Sequence, residues 1–240
     1  MSRSTFPGGT AVSHLDVYDT EAPDGCRGGT PHLHLVSTEA YVVTSGRGTL
    51  QTLSADGFRE TPLEEGTVVS FTPGTIHRAV NLGGLRVVVL MSNAGLPEAG
   101  DAVMTFPPEI LASAEEYAAA ADLGSGEDRA ERARRRRDLA VAGFTRLREA
   151  TESGDPRALA DLYAAVGALV RDRAAAWDRL IADGPLAQAR RSLEIARSIA
   201  AGDASHLGQG RVRSAAPTPG ERGFGMCGRL RTYDLGGGAG

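Results

Sequence analysis

The sequence contains no lysine, and all 26 of its basic residues are arginine. Catalysis through a Schiff-base lysine and phosphate binding by a P-loop lysine are therefore excluded. Cysteine is scarce as well: only Cys26 and Cys227 are present, far apart in the chain. They form no CxxC pattern, so neither a disulfide framework nor a thiolate zinc site is indicated.

Long apolar runs are also missing. No stretch approaches the roughly 18 apolar residues of a membrane span, and the N-terminal residues MSRSTFPGGTAVSH lack the apolar segment of a signal peptide. The formal net charge of −4 does not indicate a nucleic-acid-binding protein. The arginine run Arg134–Arg137 is flanked by acidic residues, and we expect most of it to be a solvated helix face with i,i+4 ion pairs. We therefore expect a cytoplasmic protein that binds neither nucleic acid nor a membrane.

The first part of the chain has the pattern of short strands. Apolar segments rich in Val, Leu, Thr and Tyr alternate with Gly, Pro, Asp and Asn, which favours an antiparallel sandwich or barrel. The predicted strands are Ala11–Tyr18, His32–Val36, Ala40–Thr44, Gly48–Leu53, Phe58–Thr61, Thr67–Phe71, Arg78–Asn81 and Leu85–Ser92.

After residue 106 the periodicity becomes helical, most clearly over residues 159–181, and short loops between the periodic segments indicate a small helical bundle. From about residue 208 the chain is rich in Gly, Pro, Ser and Arg and loses any period, which predicts disorder. The sequence thus predicts an α+β protein with three parts. Residues 1–106 form an antiparallel β-barrel, residues 107–207 a helical region, and residues 208–240 a disordered tail.

Three of the five histidines fall into two similar segments. His32 and His34 are two residues apart, so in a strand both imidazoles project from one face. Glu39 follows after a short turn, and His77 lies in a second segment that is bounded by glycines. Three imidazoles and one carboxylate suit Fe, Mn, Ni, Cu or Zn. Four such ligands on an octahedral ion leave two positions open for substrate, water or dioxygen.

These two segments resemble the two sequence motifs of the cupins. The matching positions are His32, His34, Glu39 and Gly46 in the first motif and Gly66, Gly74, His77 and Asn81 in the second. Cys26 stands at the position of the leading glycine, and Thr72 stands where a proline is expected, so both departures concern turn residues. The resemblance implies a double-sheet, jelly-roll barrel with one divalent transition metal (Fe, Mn, Ni or Zn). It implies further that His32, His34, Glu39 and His77 bind this metal.

Tyr41 is the candidate catalytic residue. If Glu39 points inward, the alternation of a strand places Tyr41 on the same face, near the metal. It could then donate a proton or contact the substrate. The alternative is that it only fills the barrel interior.

The function predicted from these residues is that of a metal-dependent cupin enzyme acting on a small polar metabolite, sugar-like or hydroxycarbonyl, by isomerase or epimerase chemistry. The segment GTVVSFTPGTIHRAVN, followed by NAGLPEAGDAV, resembles the corresponding part of cupin-type phosphoglucose isomerases. A non-haem Fe(II) dioxygenase and a non-catalytic small-molecule-binding cupin are the alternatives. We also expect a homodimer, because the alanine-rich helical region has an apolar stripe to cover.

Overall fold

The computed structural model describes residues 6–233, and nine strands lie within that range. The strands are β1 (Ala11–Val17), β2 (His32–His34), β3 (Glu39–Ser54), β4 (Gly57–Glu64), β5 (Val68–Phe71), β6 (Ile76–Met91), β7 (Ala102–Met104), β8 (Gly223–Phe224) and β9 (Gly228–Thr232). The helices lie between β7 and β8. They are α1 (Pro108–Leu111), α2 (Ala114–Ala121), α3 (Arg129–Glu152), α4 (Ala158–Ala174), α5 (Trp177–Ile181) and α6 (Ala187–Ala200).

Strands β3 and β6 are longer than the sequence predicts, because each was expected to be two strands separated by a glycine-rich turn. They pair with each other antiparallel along most of their length, with register shifts between Val43 and Gly48. Gly46 has a φ of 75°, and a Cβ at this position would lie 2.2 Å from the carbonyl oxygen of Gly84. The glycines therefore form bulges that bend a continuous strand pair, which local turn chemistry alone does not distinguish from a turn.

The α+β class and the antiparallel sheet are confirmed. The central strand order is β4-β3-β6-β1-β9-β8, while β5 pairs with β3, and β2 pairs with both β6 and β7. Within residues 6–233 this order does not return on itself, so the sheet is not closed by hydrogen bonds as a complete barrel would be. The short strands β5 and β7 each pair with a single neighbour, and both leave an edge open.

The C-terminal segment joins the sheet. Strand β9 pairs antiparallel with β1 from Ser13, opposite Thr232, to Val17, opposite Gly228. The prediction of disorder for residues 208–240 is therefore wrong for residues 223–232, while residues 234–240 lie outside the described range. Composition indicated disorder, but a five-residue strand needs only an open edge and a few buried side chains, which composition does not reveal. The domain boundary at residue 106 remains a prediction.

Two apolar cores hold the molecule together. The first contains Leu15, Tyr41, Val43, Leu63 and Val87 and lies within the bent sheet. The second combines strand residues with helix residues and includes Leu33, Ile76, Phe106, Phe144, Val166 and Trp177. Since burying one large apolar side chain contributes about 1.5–3 kcal/mol, the second core attaches the helices firmly to the sheet.

Two hydrogen bonds reinforce this attachment. The indole Nε1 of Trp177 donates to the carbonyl of Ala99 at 3.1 Å, and the hydroxyl of Tyr163 donates to the carbonyl of Gly74 at 3.0 Å. Both acceptors belong to the strand-rich part of the chain, so the helices pack on the part that carries the histidines. None of the helices within residues 6–233 has the length and apolar composition that crossing a membrane requires.

Candidate metal centre

Three strands bring the predicted ligands together. His32 and His34 lie at the two ends of β2, and His32 is paired with His77 of β6. Glu39 is the first residue of β3. All three residues of β2 are buried, and the His34 ring lies 3.1 Å from Glu39 at the start of β3.

The four side chains form one buried cluster. One ligand atom from each of His32, His34, Glu39 and His77 lies within 4.8 Å of the others. The Glu39 Oε2 atom is 3.1 Å from the Nε2 atoms of both His34 and His77. The most exposed of the four is His34, at 6%. The residues that the sequence singled out thus come together as a group capable of holding a metal ion.

Each histidine ring is oriented through its other nitrogen. The Nδ1 of His32 lies 2.9 Å from the carbonyl of Thr30, and the Nδ1 of His77 lies 3.1 Å from the carbonyl of Thr75. The Nδ1 of His34 lies 3.2 Å from the Asp101 carboxylate. Acceptors at Nδ1 select the tautomer that carries its proton there, so the Nε2 lone pairs are free to bind a metal.

Orphaned polar atoms show that the cluster fits a cation. Glu39 Oε2 and His77 Nε2 are buried, and neither has a hydrogen-bond partner among residues 6–233 although they lie 3.1 Å apart. With its Nδ1 proton directed at Thr75, His77 presents a lone pair to the carboxylate, which offers only lone pairs in return. A cation bound between two buried acceptors that face each other would satisfy both of them. Imidazole and carboxylate donors without a thiolate suit a divalent transition metal.

The electrostatics of the cluster follow from burial and pairing. Burial opposes the charged form of His34, but its contacts with Asp101 and Glu39 outweigh burial and raise its pKa to about 9, so a metal that binds at Nε2 would displace a proton from this ring. Burial likewise opposes ionisation of Glu39, yet its contacts with His34 and His77 hold the pKa of this carboxyl far below its usual range. Burial and the two neighbouring imidazoles place the pKa of His32 well below its ordinary value.

Asp101 supports the cluster and was missed by the sequence analysis. Its side chain is fully buried, and its two oxygens accept hydrogen bonds from the backbone N–H groups of Leu35, Val36 and Ser37 at 2.7–3.1 Å. The same carboxylate contacts His34, which is 67 positions away in sequence. No local pattern around Asp101 marks it, because its partners are supplied only by the folded chain.

A cavity of about 430 Å³ opens beside the cluster, and Tyr41 lines it together with His32, His34 and Glu39. Glu39, Tyr41 and Val43 are all buried, as expected for alternate residues on one face of β3. The Tyr41 hydroxyl donates to Cys227 Sγ at 3.7 Å. Burial, followed by the proximity of Cys227 and Glu39, raises the pKa of Tyr41 well above its ordinary value, so its phenol keeps its proton.

Most of the remaining cavity wall is apolar. It includes Val12, Leu15, Val89, Met91, Phe224, Met226 and Leu230. The last three belong to the C-terminal segment that the sequence predicts to be disordered. This segment therefore forms part of the site as well as part of the sheet.

Helix α3 adds a charged residue to the same wall. Arg136 lines the cavity and is only 8% exposed, and its neighbour Arg137 is 1% exposed. The expectation that the run Arg134–Arg137 is mostly a solvated helix face is therefore wrong for these two arginines. The physical reason is that other segments cover this part of α3: Arg136 Nη2 donates to the carbonyl of Gly225 at 2.8 Å, and Arg137 donates to the carbonyls of Thr20 and Glu21.

Comparison with known families agrees with this geometry. Residues 19–93 match the family model of the cupin domain. This match contains all four residues of the cluster and supports the cupin superfamily for the strand-rich part of the chain. It covers less than half of the chain and does not extend to the helices. No curated protein matches the chain.

Solved structures resemble parts of the chain at low identity. The capsular polysaccharide assembling protein CapF of Staphylococcus aureus is 23% identical, with a TM-score of 0.27, over 33% of this chain and 22% of that protein. Streptomyces PAC13 with uridine is 19% identical, with a TM-score of 0.28, over 37% of this chain and 63% of that protein. A Klebsiella pneumoniae protein with a double-stranded β-helix domain is 20% identical, with a TM-score of 0.25, over 34% and 62%. The chain thus spans less than two thirds of each of these proteins.

Proposed function

We propose that the chain is a metal-dependent cupin enzyme that converts a small sugar-like or hydroxycarbonyl molecule by isomerase or epimerase chemistry. The observation that carries the proposal is the buried cluster of His32, His34, Glu39 and His77, of which the first three line a cavity of about 430 Å³. This volume lies within the usual range of small-molecule sites, roughly 300–1,000 Å³. Fe, Mn, Ni or Zn fits the donor set, and such an ion would polarise a carbonyl or hydroxyl oxygen of the substrate.

The residues of the chain supply the remaining requirements. The acceptors at Nδ1 keep the three imidazoles in fixed orientations, and the apolar wall excludes water from the bound molecule. Tyr41 holds a proton at its hydroxyl inside the cavity, where it would donate that proton to a substrate oxygen as negative charge develops on it. The role of Tyr41 is thus that of a general acid.

A non-haem Fe(II) dioxygenase is the second candidate. The apolar side chains that surround the cluster favour it, because they create a dry compartment in which an apolar substrate and dioxygen can meet. The same ligand set serves either chemistry. A cupin that binds a small molecule without converting it is the third reading.

Metal analysis, together with turnover assays in the presence and absence of oxygen, tests the proposal. Purified protein is loaded with each metal, its metal content is measured by mass spectrometry, and small metabolites are screened by thermal shift. Compounds that bind are then incubated with the metal-loaded protein with and without oxygen. An isomer formed anaerobically supports the isomerase, and oxygen uptake coupled to product supports the dioxygenase. A ligand recovered unchanged indicates the binding protein, and the absence of metal binding contradicts the metal site.

The homodimer is also a proposal. Leu193 and Ile199 of α6 are 55% and 53% exposed, and a second copy of the chain could cover them. Light scattering on the purified protein would give a mass twice that of the 25.0 kDa chain if the proposal holds. The mass of a single chain would contradict it.

A further inference from the structure

We propose that Arg136 binds a carboxylate of the substrate, and that the substrate is therefore a small amphipathic acid. One end would carry the oxygen function that faces the metal cluster, the middle would be apolar, and the carboxylate would pair with Arg136. The end at the metal rests on the proposed function, whereas the carboxylate site does not require a metal.

The first observation is that Arg136 lacks a counterion. Its side chain lines the cavity and is only 8% exposed, yet it forms no ion pair with any carboxylate among residues 6–233. Among the described residues its single hydrogen-bond partner is the carbonyl of Gly225, and its Nε is buried there without a partner. Some of the hydrogen-bond donors of the Arg136 guanidinium group are therefore unused.

The neighbouring groups do not neutralise this charge. The titratable groups that act on Arg136 are Tyr18, Tyr117 and Cys227. Burial raises the pKa of Tyr18 to about 12 and that of Cys227 to about 11, and it raises the pKa of Tyr117 as well. All three therefore keep their protons at neutral pH and carry no charge.

Arg137, the next residue of α3, is a buried arginine whose charge is paired. Its guanidinium is 2.7 Å from the Asp138 carboxylate, and it donates to the carbonyl groups of Thr20 and Glu21 at 2.7 Å. A buried charge is unfavourable unless it is paired and fully hydrogen-bonded, and Arg137 meets this condition. Arg136 does not, so a ligand anion is the missing partner.

The cavity also determines which anion fits. Among its lining residues Arg136 is the only arginine, and one guanidinium neutralises one carboxylate through two parallel hydrogen bonds. A phosphate dianion would keep an unpaired negative charge in an apolar cavity. Glu98 lines the cavity too, but it is exposed and forms no ion pair with Arg136. Glu39 is engaged with His34 and His77.

The apolar wall accounts for the middle of the substrate. Apolar side chains of β1, β6 and the C-terminal segment form most of the wall of the cavity that Arg136 lines. Of the two substrate types in the proposed function, a polyhydroxylated, sugar-like one would lose much of its hydration there, whereas a hydroxycarbonyl compound with a hydrocarbon or aromatic body is favoured at roughly 25 cal/mol per Å² buried.

The test compares a carboxylate with its neutral amide. The probes are 4-phenylbutyrate and 4-phenylbutyramide, titrated calorimetrically into the full-length protein with and without bound metal. We expect the metal-free protein to bind the carboxylate about tenfold more tightly than the amide, because the hydrogen bonds to Arg136 are charge-assisted. Arg136→Gln should remove this preference and leave amide binding unchanged. Arg135→Gln, which changes the same charge at an exposed position of α3, should leave the preference intact.

Three outcomes would overturn the proposal. They are an unmodified protein that does not prefer the carboxylate to the amide, an Arg136→Gln variant that keeps the full preference, and an Arg135→Gln variant that loses as much of it as Arg136→Gln. Thermal melts confirm that each variant is folded. If Arg136→Gln does not fold, Arg136→Lys decides, because an ammonium cannot reproduce the fork and the preference should fall. An unchanged preference in the folded lysine variant overturns the proposal. A protein that prefers the carboxylate but binds no metal would contradict the proposed function alone. A protein that binds metal but does not distinguish the carboxylate from the amide would contradict this inference alone.

Discussion

The Asp101 carboxylate lies 3.2 Å from Nδ1 of His34 and also holds the backbone that follows His34. By accepting hydrogen bonds from the N–H groups of residues 35–37, it fixes the connection between β2 and β3. These two strands carry His34 and Glu39. The buried side chain of Asp101 therefore determines both the orientation of the His34 ring and the distance between His34 and Glu39.

Asp101→Asn should weaken the metal site without abolishing it. The amide presents a donor where the carboxylate accepts from Ser37 and His34, so His34 loses its orienting partner. We expect metal affinity to fall by about 10–100-fold and the free energy of unfolding to fall by about 1–3 kcal/mol. Competition with a chelator and urea unfolding measure the two effects. Asp172→Asn, at an exposed position of α4, is the control, and equal metal affinity in both variants would contradict the role of Asp101.

His77→Ala should lose most of the bound metal, because His77 supplies one of the four ligand atoms and its ring is fully buried. The unmodified protein should carry about one ion per chain. His206→Ala changes a histidine outside the cluster and should keep full occupancy. Metal analysis after identical loading measures the difference. Retention of metal by His77→Ala would show that the ion binds elsewhere.

Tyr41→Phe should separate binding from chemistry. The ring continues to fill its place beside Phe71, while the proton at the hydroxyl is removed. We expect metal content to stay the same and kcat to fall by about 10²–10⁴-fold with the substrate found by screening. Loss of metal together with activity would instead assign Tyr41 a structural role. An unchanged kcat would remove it from the mechanism.

Gly228→Ala should detach the C-terminal strand from β1. A Cβ at this position would lie 2.0 Å from the carbonyl oxygen of Asp16, so β9 cannot keep its register. We expect a loss of about 1–3 kcal/mol in the free energy of unfolding and faster amide exchange throughout β9. Gly223→Ala is the matched control, because its nearest contact, at 3.8 Å, is an ordinary one. Equal stability in both variants would contradict the β1–β9 pairing.

The four residues of the cluster could be predicted from sequence because their signal is local. His32 and His34 are related by the two-residue period of a strand, and Glu39 and His77 stand at motif spacing from them. The same alternation placed Tyr41 on the face of Glu39. The class of the fold followed from the change of periodicity after residue 106 for the same reason.

The features that escaped prediction depend on contacts between distant segments. Asp101 acquires its role only when the chain brings it to β2, and Arg136 acquires its hydrogen-bond partner only when the C-terminal segment packs against α3. The sequence of a charged helix predicts a solvated face when the segment that covers the helix is not known. Gly46 and Gly84 were likewise predicted to lie in turns, since a bulge and a turn can both require a glycine with a positive φ.

The pairing of β1 with β9 imposes an order on the formation of the site. The hydroxyl of Tyr18 bonds to the carbonyl of Gly225 across 207 positions of the sequence, and contacts of such separation form slowly because a long loop must close first. The three strands that carry the histidines and Glu39 lie within residues 32–91 and can assemble while the ribosome is still adding the helices. An ion captured at that stage would bind before the cavity has its last wall. The part of the cavity wall that the C-terminal segment supplies can form only after residue 232 has been synthesised.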